Sequence, residues 1–403
     1  SNTAGDEKLD LKILIHQKKK FEFKNKIHEI GGDICISESI YLKGKKFTAF
    51  VNGDAMGKSI QGAGGALVLG VVFKSILSRA RMFSTKETVF PERWLKVAFQ
   101  ELQSVFESFD GSMMISVVMG LIDNEKGFIY YINAEHPFCV LYRDNKASFI
   151  EKELNLRKIG ITTAEHSGNF QVNTFKLEDQ DIIILGSDGR DDIKIGGDSQ
   201  GRIINEDENL FLETVENAGA DLEKIFELTQ KKGELIDDYS LLRIAYKNPE
   251  LPIEDTEAGL KAKELYESGK YAEAEKLVEE VFKAGKPSKS LYKLRANLAF
   301  QRETFNKAAD LFTEYLDLFP EETESLYHAA ISYKLSNKLE SAADYSERLK
   351  LREPRNFQNL ILLAEIYFDL KIFGRAKGTL DNAMLIEPNH PKIKELKDRL
   401  SQI

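Results

Sequence analysis

Residues 47–58 read Phe-Thr-Ala-Phe-Val-Asn-Gly-Asp-Ala-Met-Gly-Lys, an apolar run followed by an aspartate in a glycine-containing loop. The run Phe47–Val51 is rich in aromatic and apolar residues, which predicts a β-strand. Gly53 and Gly57 predict a turn directly after it, so Asp54 would be held at the strand end. Carboxylates are hard oxygen ligands that suit Mg²⁺ or Mn²⁺. The stretch therefore predicts a strand that carries a metal-ligating aspartate.

Three more acidic elements stand at predicted strand ends or turns: Gly31–Asp33, Ser187–Gly189 and Asp237–Ser240. An Asp-Gly pair alone is usually only a turn, so none of them identifies a site by itself. Glycines beside the aspartates allow backbone carbonyls and water to come close to an ion. Two metal ions held by such carboxylates activate a water molecule and neutralise phosphate oxygens. The six histidines form no convincing metal pattern.

Strand-like runs separated by polar or glycine-containing turns continue through the first 247 residues. They are Phe47–Val51, Met114–Ile122, Phe128–Ile132, Phe138–Tyr142, Phe170–Leu177, Asp181–Leu185 and Ser240–Tyr246. Helices are predicted at 60–80, 92–109, 207–218 and 221–232. Because the order shows no regular alternation of strand and helix, it indicates an antiparallel α+β domain.

The two ends of this domain are predicted from local patterns. Residues 7–26 have helix-compatible spacing, with Leu11, Leu14 and Ile15 among lysines. We expect residues 1–26 to form a helix, either the end of a signalling helix or an ordinary lead-in helix packed on its own domain. The domain itself is then 27–247. Pro249 and Pro252 disfavour helix in the residues before them and predict a linker at 248–254.

The remaining residues, 255–403, repeat with a period of 34. Four large side chains keep this spacing, and alanines recur three residues after and nine residues before each of them: Tyr271, Phe305, Leu339 and Phe373. Small residues let paired helices approach closely, and a proline at the same period ends most units. The pattern resembles the tetratricopeptide (TPR) repeat. It predicts four helix pairs and a capping helix at 391–402, with a concave groove that binds a protein partner.

Composition excludes several classes of protein. The formal charge of −9 argues against nucleic acid, whose binders carry a basic surface. Two cysteines, Cys35 and Cys139, exclude a disulfide scaffold and favour a reducing compartment. We expect no membrane span, because no apolar stretch approaches the roughly 20 residues that crossing a bilayer requires. The expected location is the cytoplasm, for a whole protein or for the cytosolic part of a longer one.

The acidic elements and their order resemble the bacterial branch of the metal-dependent (2C-type) protein phosphatase family, represented by stage II sporulation protein E. The matching elements are Gly31–Asp33, Gly53–Lys58, Asn133–Pro137, Ser187–Gly189 and Asp237–Ser240. The resemblance covers about residues 25–247. It implies an antiparallel β-sandwich flanked by helices, here followed by an all-α TPR superhelix.

By this resemblance, two Mn²⁺ or Mg²⁺ ions would be held by Asp33, Asp54, the Ala55 carbonyl, Asp188 and Asp237. Asp54 and Asp188 would be the catalytic pair, with Asp238 the reserve for Asp237. His136-Pro137 is interpreted as a structural turn. The chain departs from the family pattern at Ser59, at Glu135 in place of glycine, and at Arg190–Asp192.

The implied reaction is hydrolysis of phosphoserine or phosphothreonine on a partner protein. The relatives suggest an anti-sigma-factor antagonist as that phosphoprotein substrate, in a partner-switching pathway. The alternative is a non-catalytic, phosphatase-like scaffold or adaptor that acts through its TPR groove. Retention of all four acidic elements favours the enzyme.

Overall fold

The computed structural model describes residues 5–57, 60–83, 89–154, 156–161, 170–198, 201–249, 253–285 and 287–402. Lys58 and Ser59, and residues 250–252 of the expected linker, lie outside these described residues. Contacts divide the chain into two compact units, Ser1–Pro249 and Glu250–Ile403.

The first unit is built on two five-stranded antiparallel sheets. One has the order β1 (Leu9–His16), β15 (Tyr239–Tyr246), β11 (Ile182–Gly186), β8 (Val140–Arg143), β9 (Lys146–Phe149). The other has the order β10 (Asn173–Lys176), β7 (Phe128–Ala134), β6 (Ile115–Asp123), β5 (Lys45–Ala55), β4 (Asp33–Leu42). Smaller strands are β2 (Lys19–Phe23), β3 (Lys26–Ile30), β12 (Ile193–Asp198), β13 (Gly201–Ile204) and β14 (Glu234–Leu235).

The sheets face each other across an apolar core that takes side chains from both, among them Phe50, Val118, Leu185 and Leu242. Helices α1 (Ile60–Phe83) and α2 (Pro91–Glu107) lie against the sheet that contains β5. Helices α3 (Asn209–Ala218) and α4 (Leu222–Lys232) pack on the other sheet, where Phe211 and Ile225 help to form a second apolar cluster. The predicted α+β antiparallel sandwich flanked by helices is confirmed.

The predicted helix at 1–26 is wrong, because the described part of this segment forms β1 and β2. Leu9, Leu11, Ile13 and Ile15 recur with the period of two that a strand requires, and their side chains enter the core between the sheets. Leu14 points to the opposite side, into the cluster beneath α3 and α4. Since β1 pairs with β15 along its whole length, a domain beginning at residue 27 would lack an edge strand.

Helix α1 is, within the described residues, the one helix whose length and composition would allow it to cross a membrane, over Gln61–Met82. The expectation that no stretch approaches this length is therefore wrong by length and composition: residues 62–73 are all small or apolar, and Lys74 is the first charged residue of the helix. Leu69, Phe73 and Leu77 are nevertheless buried, and α1 contacts β4 and β5. This is the packing of a helix that covers a sheet.

Between residues 253 and 402, the described residues form nine helices: four antiparallel pairs and a last single helix. They are α5 (Glu257–Glu267), α6 (Tyr271–Ala284), α7 (Lys289–Gln301), α8 (Phe305–Leu318), α9 (Thr323–Leu335), α10 (Leu339–Arg352), α11 (Phe357–Asp369), α12 (Phe373–Met384) and α13 (Pro391–Ser401). The repeated alanines, such as Ala274, Ala308 and Ala342, are buried where paired helices meet. The all-α TPR region is confirmed.

Replacing Ala274 with Leu should lower the free energy of unfolding by roughly 1–3 kcal/mol, because the larger side chain overpacks the contact between α5 and α6. Ala274 has no exposed surface, whereas Ala272 on the same helix is exposed. Ala272→Leu is therefore the matched control and should be nearly neutral. Urea unfolding followed by circular dichroism at the helical band measures both. Equal effects in the two variants would contradict the packing role of Ala274.

Candidate metal centre

Asp33 and Asp54 are cross-strand neighbours at one end of the β4–β5 pair, where β4 begins and β5 ends. Directly opposed residues in an antiparallel pair have Cβ atoms about 4.5–5.5 Å apart. The Ala55 N–H donates to the Gly32 carbonyl oxygen at 3.0 Å, which keeps the two strand ends together. Pairing of adjacent strands thus brings the first two predicted aspartates side by side.

The other two predicted aspartates come from the second sheet. Asp188 opens a short 3₁₀ turn after β11, and Asp237 lies two residues before β15, the neighbour of β11. The Ser187 hydroxyl donates to Asp33 Oδ2 at 2.5 Å, which joins the Ser187–Gly189 element to the end of β4. The acidic elements of both sheets therefore meet at one end of the sandwich.

Burial and mutual repulsion strongly raise the pKa values of three of these aspartates. Burial raises the pKa of Asp33, of Asp54 and of Asp188 to about 7 each. Repulsion from neighbouring carboxylates contributes to these raised pKa values: Asp33 and Asp237 act on Asp54, and Asp54 acts on Asp188. Such coupling requires the carboxylates to share one poorly solvated region. Divalent cations would compensate the accumulated negative charge.

Two oxygen atoms are well suited to a hard cation. Asp33 Oδ1 is buried and has no hydrogen-bond partner among the described residues, a costly arrangement unless another group satisfies it. The Ala55 carbonyl oxygen lies against two glycines: a Cβ on Gly32 would stand 2.6 Å from it, and one on Gly62 would stand 3.1 Å away. Side chains at these glycines would crowd the oxygen. Both oxygen atoms are hard ligands of the kind that Mg²⁺ and Mn²⁺ prefer.

Among the residues that the structure describes, the carboxylates do not form a compact group of metal ligands. Within the described ranges, no three His, Cys, Asp or Glu side chains stand together as a ready group of metal ligands. Water and the Ala55 carbonyl would therefore have to complete the coordination of any ion. Mg²⁺ commonly keeps several waters and takes only one or two protein carboxylates, so a site with few protein ligands per ion suits it.

The Asp238 carboxylate already accepts hydrogen bonds from two backbone N–H groups. Its Oδ1 accepts from the Lys18 N–H at 2.7 Å, and its Oδ2 accepts from the Gly32 N–H at 2.8 Å. Asp237 accepts only the N–H of Asp238 among the described residues, at 2.8 Å. The geometry thus favours Asp237 over Asp238 as the carboxylate that remains available for an ion.

A buried polar network supports Asp33 from behind. Ser187 Oγ accepts from the Ser240 N–H at 3.0 Å, and Ser240 Oγ accepts from Asn52 Nδ2 at 2.9 Å. Asn52 Oδ1 lies 2.7 Å from His136 Nε2. On the other side, Gln17 Nε2 donates to the Asp33 carbonyl oxygen at 2.8 Å. No sequence motif indicates a role for Asn52, Gln17 or the two serine hydroxyls.

His136 has a structural position. Its second ring nitrogen, Nδ1, lies 3.0 Å from Ser116 Oγ, so both nitrogens have hydrogen-bond partners. Burial, assisted by the charges of Arg190 and Lys158, lowers the pKa of His136 to about 3 and keeps the ring neutral. The interpretation of His136 as a structural residue agrees with this environment.

Ser187→Ala should weaken metal binding by about 10- to 100-fold, because the residues that orient metal ligands contribute to affinity on that scale. The change removes the donor to Asp33 Oδ2 and the acceptor for the Ser240 N–H. Calorimetric titration with Mn²⁺ would measure the loss. Ser108→Ala at the exposed end of α2 is the control and should bind as wild type does. Equal affinities in all three proteins would show that Ser187 does not orient a ligand.

Comparison with known proteins agrees with the resemblance of the motifs. The family model of stage II sporulation protein E (SpoIIE) matches residues 44–247, just over half of the chain. The RsbU and RsbW domains of Rv1364c from Mycobacterium tuberculosis are 18% identical, covering 73% of this chain and 75% of that one, with a TM-score of 0.44. The PP2C phosphatase domain and regulatory fragment of SpoIIE from Bacillus subtilis are 15% identical, covering 60% and 63%, with a TM-score of 0.43.

One curated relative is a heat-shock protein cognate co-chaperone, sgt12, from Aspergillus fumigatus. It is 29% identical over 109 residues, which is 27% of this chain. The chain spans about a third of the length of this relative, 32%.

Proposed function

The chain belongs to the stage II sporulation protein E family, and on that basis we propose that its first unit hydrolyses phosphoserine or phosphothreonine esters on a partner protein. The observation that supports this proposal most is that Asp33, Asp54 and Asp188 come from both sheets to one end of the sandwich, where a buried Asp33 oxygen has no hydrogen-bond partner among the described residues. Members of this family are generally phosphatases of the 2C type.

Two Mn²⁺ or Mg²⁺ ions would be held by Asp33, Asp54, Asp188, Asp237 and the Ala55 carbonyl. When bound, such ions supply an activated water and neutralise phosphate oxygens. Asp54 and Asp188 are the proposed catalytic pair, since their charges interact with each other and each also interacts with Asp237.

The protein's own part is to hold these ligands in place. Ser187 and Gln17 fix the side chain and the carbonyl of Asp33, and the Asp238 carboxylate fixes Gly32 beside the Ala55 carbonyl. The ligands are therefore positioned before a substrate arrives, so little reorganisation is needed at the moment of reaction. His136 is neutral, and its two ring nitrogens are hydrogen-bonded to Ser116 and Asn52. In this proposal it supports the network behind Asp33 and takes no part in proton transfer.

We further propose that the substrate is a phosphorylated anti-sigma-factor antagonist in a cytoplasmic partner-switching pathway, and that the TPR groove recruits this protein or a regulator. Family membership supports the first part of this proposal. Stacked helix pairs, which present an extended surface for protein binding, support the second. Two buried free cysteines, Cys35 and Cys139, are compatible with a reducing compartment.

Phosphate release from phosphoserine and phosphothreonine peptides, with Mn²⁺, with Mg²⁺ and with chelator, tests the proposal. We expect release with at least one metal and none in chelator. Full activity in chelator would refute the metal-dependent mechanism. Metal binding without release from any phosphopeptide or phosphoprotein would instead support the non-catalytic scaffold.

A further inference from the structure

Residues 156–161, called here the edge segment, lie beside the candidate metal centre and are firmly attached to it. Ile159 has no exposed surface and exchanges two backbone hydrogen bonds with Ile115, of 3.1 and 2.9 Å. Leu156 is also buried and forms a parallel bridge with Ala134. Ile115 is the cross-strand partner of Ala55, so the edge segment is joined through one strand to the metal-binding loop.

Glu135 provides a third attachment. It adopts a left-handed conformation, with φ of 49°, at the position where the resembling family has glycine. A side chain in this conformation is unfavourable by about 1 kcal/mol or more. Its carboxylate pairs with Arg157 at 2.9 Å and accepts from the Lys158 N–H at 3.3 Å. The departure from glycine thus adds contacts that hold the backbone of Lys158.

Lys158 extends from the edge segment towards the acidic centre. Its Nζ lies 3.5 Å from Sδ of Met56, the residue that follows Ala55. Met56 follows the end of β5, the strand that carries Asp54 and Ala55, so the ammonium lies beside the strand end with two of the proposed ligands. Within the described residues, however, no carboxylate lies within ion-pair distance of this nitrogen. A thioether sulfur is a weak acceptor and leaves most of the hydrogen-bonding capacity of an ammonium unused.

We propose that Lys158 binds the phosphoryl group of the substrate, a phosphate monoester dianion, at the rim of the candidate metal centre. This inference rests on the proposed function. Once cations neutralise the aspartates, the ammonium would have little attraction to them and would be available to an arriving phosphate. Lysine is an effective point-charge partner for phosphate, and its attachment to a buried segment reduces the entropy lost on binding.

Calorimetric titration of inorganic phosphate into the full chain loaded with Mg²⁺ tests the proposal directly. Lys158→Met should weaken phosphate binding by about 10- to 100-fold, the range expected for loss of a charged hydrogen-bond partner. Lys158→Arg keeps the charge and should stay within a few-fold of wild type. Lys152→Met removes the same charge at an exposed position six residues earlier in the sequence and is the matched control, with unchanged affinity expected.

Several outcomes would overturn the inference. Wild-type affinity in Lys158→Met, or no phosphate binding by the loaded wild type, would do so. So would a change in Mg²⁺ affinity alone, because the lysine would then act only by offsetting the carboxylates. The proposed function fails separately: phosphate binding that depends on Lys158 in a protein that hydrolyses no phosphopeptide would retain the binding site and exclude the hydrolase. An active enzyme with unchanged kcat/KM in Lys158→Met would exclude the lysine and retain the hydrolase.

Discussion

Asp54→Asn is expected to lower the rate of phosphopeptide hydrolysis by roughly three or more orders of magnitude. Each ~1.4 kcal/mol of lost transition-state stabilisation is a tenfold loss in rate, and removing a metal that supplies the nucleophile forfeits several such steps. Asn keeps the size of Asp and removes its charge, so the fold should persist. Steady-state kinetics with saturating Mn²⁺ measures the effect, and far-ultraviolet circular dichroism checks the fold.

Asp144→Asn is the control for this substitution. Asp144 lies in the exposed turn between β8 and β9 with a left-handed φ of 51°, a conformation that Asn also tolerates well. It should hydrolyse substrate at the wild-type rate. Hydrolysis by Asp54→Asn at the rate of Asp144→Asn would refute the assigned role of Asp54.

The second large effect is on stability without metal. Since burial and like charges raise the pKa of Asp54 to about 7, the folded protein holds a proton between about pH 4 and pH 7 that the unfolded chain releases. The free energy of unfolding contributed by Asp54 therefore falls as the pH rises through this window. Metal-free Asp54→Asn should differ least from wild type at low pH and exceed its stability at pH 8, by roughly 2–4 kcal/mol at about 1.4 kcal/mol per pKa unit.

Comparing the two proteins at each pH removes contributions that they share. His136 is one of these: its lowered pKa makes stability rise with pH up to the unfolded value, opposite to the effect of Asp54. Saturating Mg²⁺ at pH 8 should reverse the order of stability, because only wild type binds the ions well. Urea unfolding at pH 5 and pH 8, with and without Mg²⁺, would show this. A difference between the variants that does not change with pH would contradict the buried acidic cluster.

The sequence predicts features that are encoded locally. A strand followed by a glycine-flanked aspartate, as at Phe47–Asp54, can be predicted from the residues of that stretch alone. A 34-residue period repeated four times predicts the helix pairs without knowledge of distant contacts. The error at β1 has a physical cause. The alternation of Leu9, Leu11, Ile13 and Ile15 with polar residues is interrupted at Leu14, which lies on the opposite face and meets the α3–α4 cluster. A strand covered on both sides loses the clean alternation that would have distinguished it from a helix.

The parts of the candidate site that sequence analysis missed depend on distant contacts. Ser187 and Asp33 are 154 residues apart along the chain, and Lys18 and Asp238 are 220 apart. No local pattern shows that Asp238 is used to hold backbone while Asp237 stays available. From the sequence, Lys158 looks like an ordinary surface lysine. Its place beside Met56 depends on Glu135, which accepts its N–H, and on Ile115, which pairs with the next residue, Ile159.

The central claim is that Asp33, Asp54, Asp188 and Asp237 hold two divalent ions together. Anomalous X-ray scattering from crystals grown with Mn²⁺ tests it most directly. We predict two manganese peaks at the end of the sandwich where β4, β5 and β11 meet, with Asp54 and the Ala55 carbonyl among the ligands. No peak there, or peaks only at other carboxylates of the chain, would contradict it.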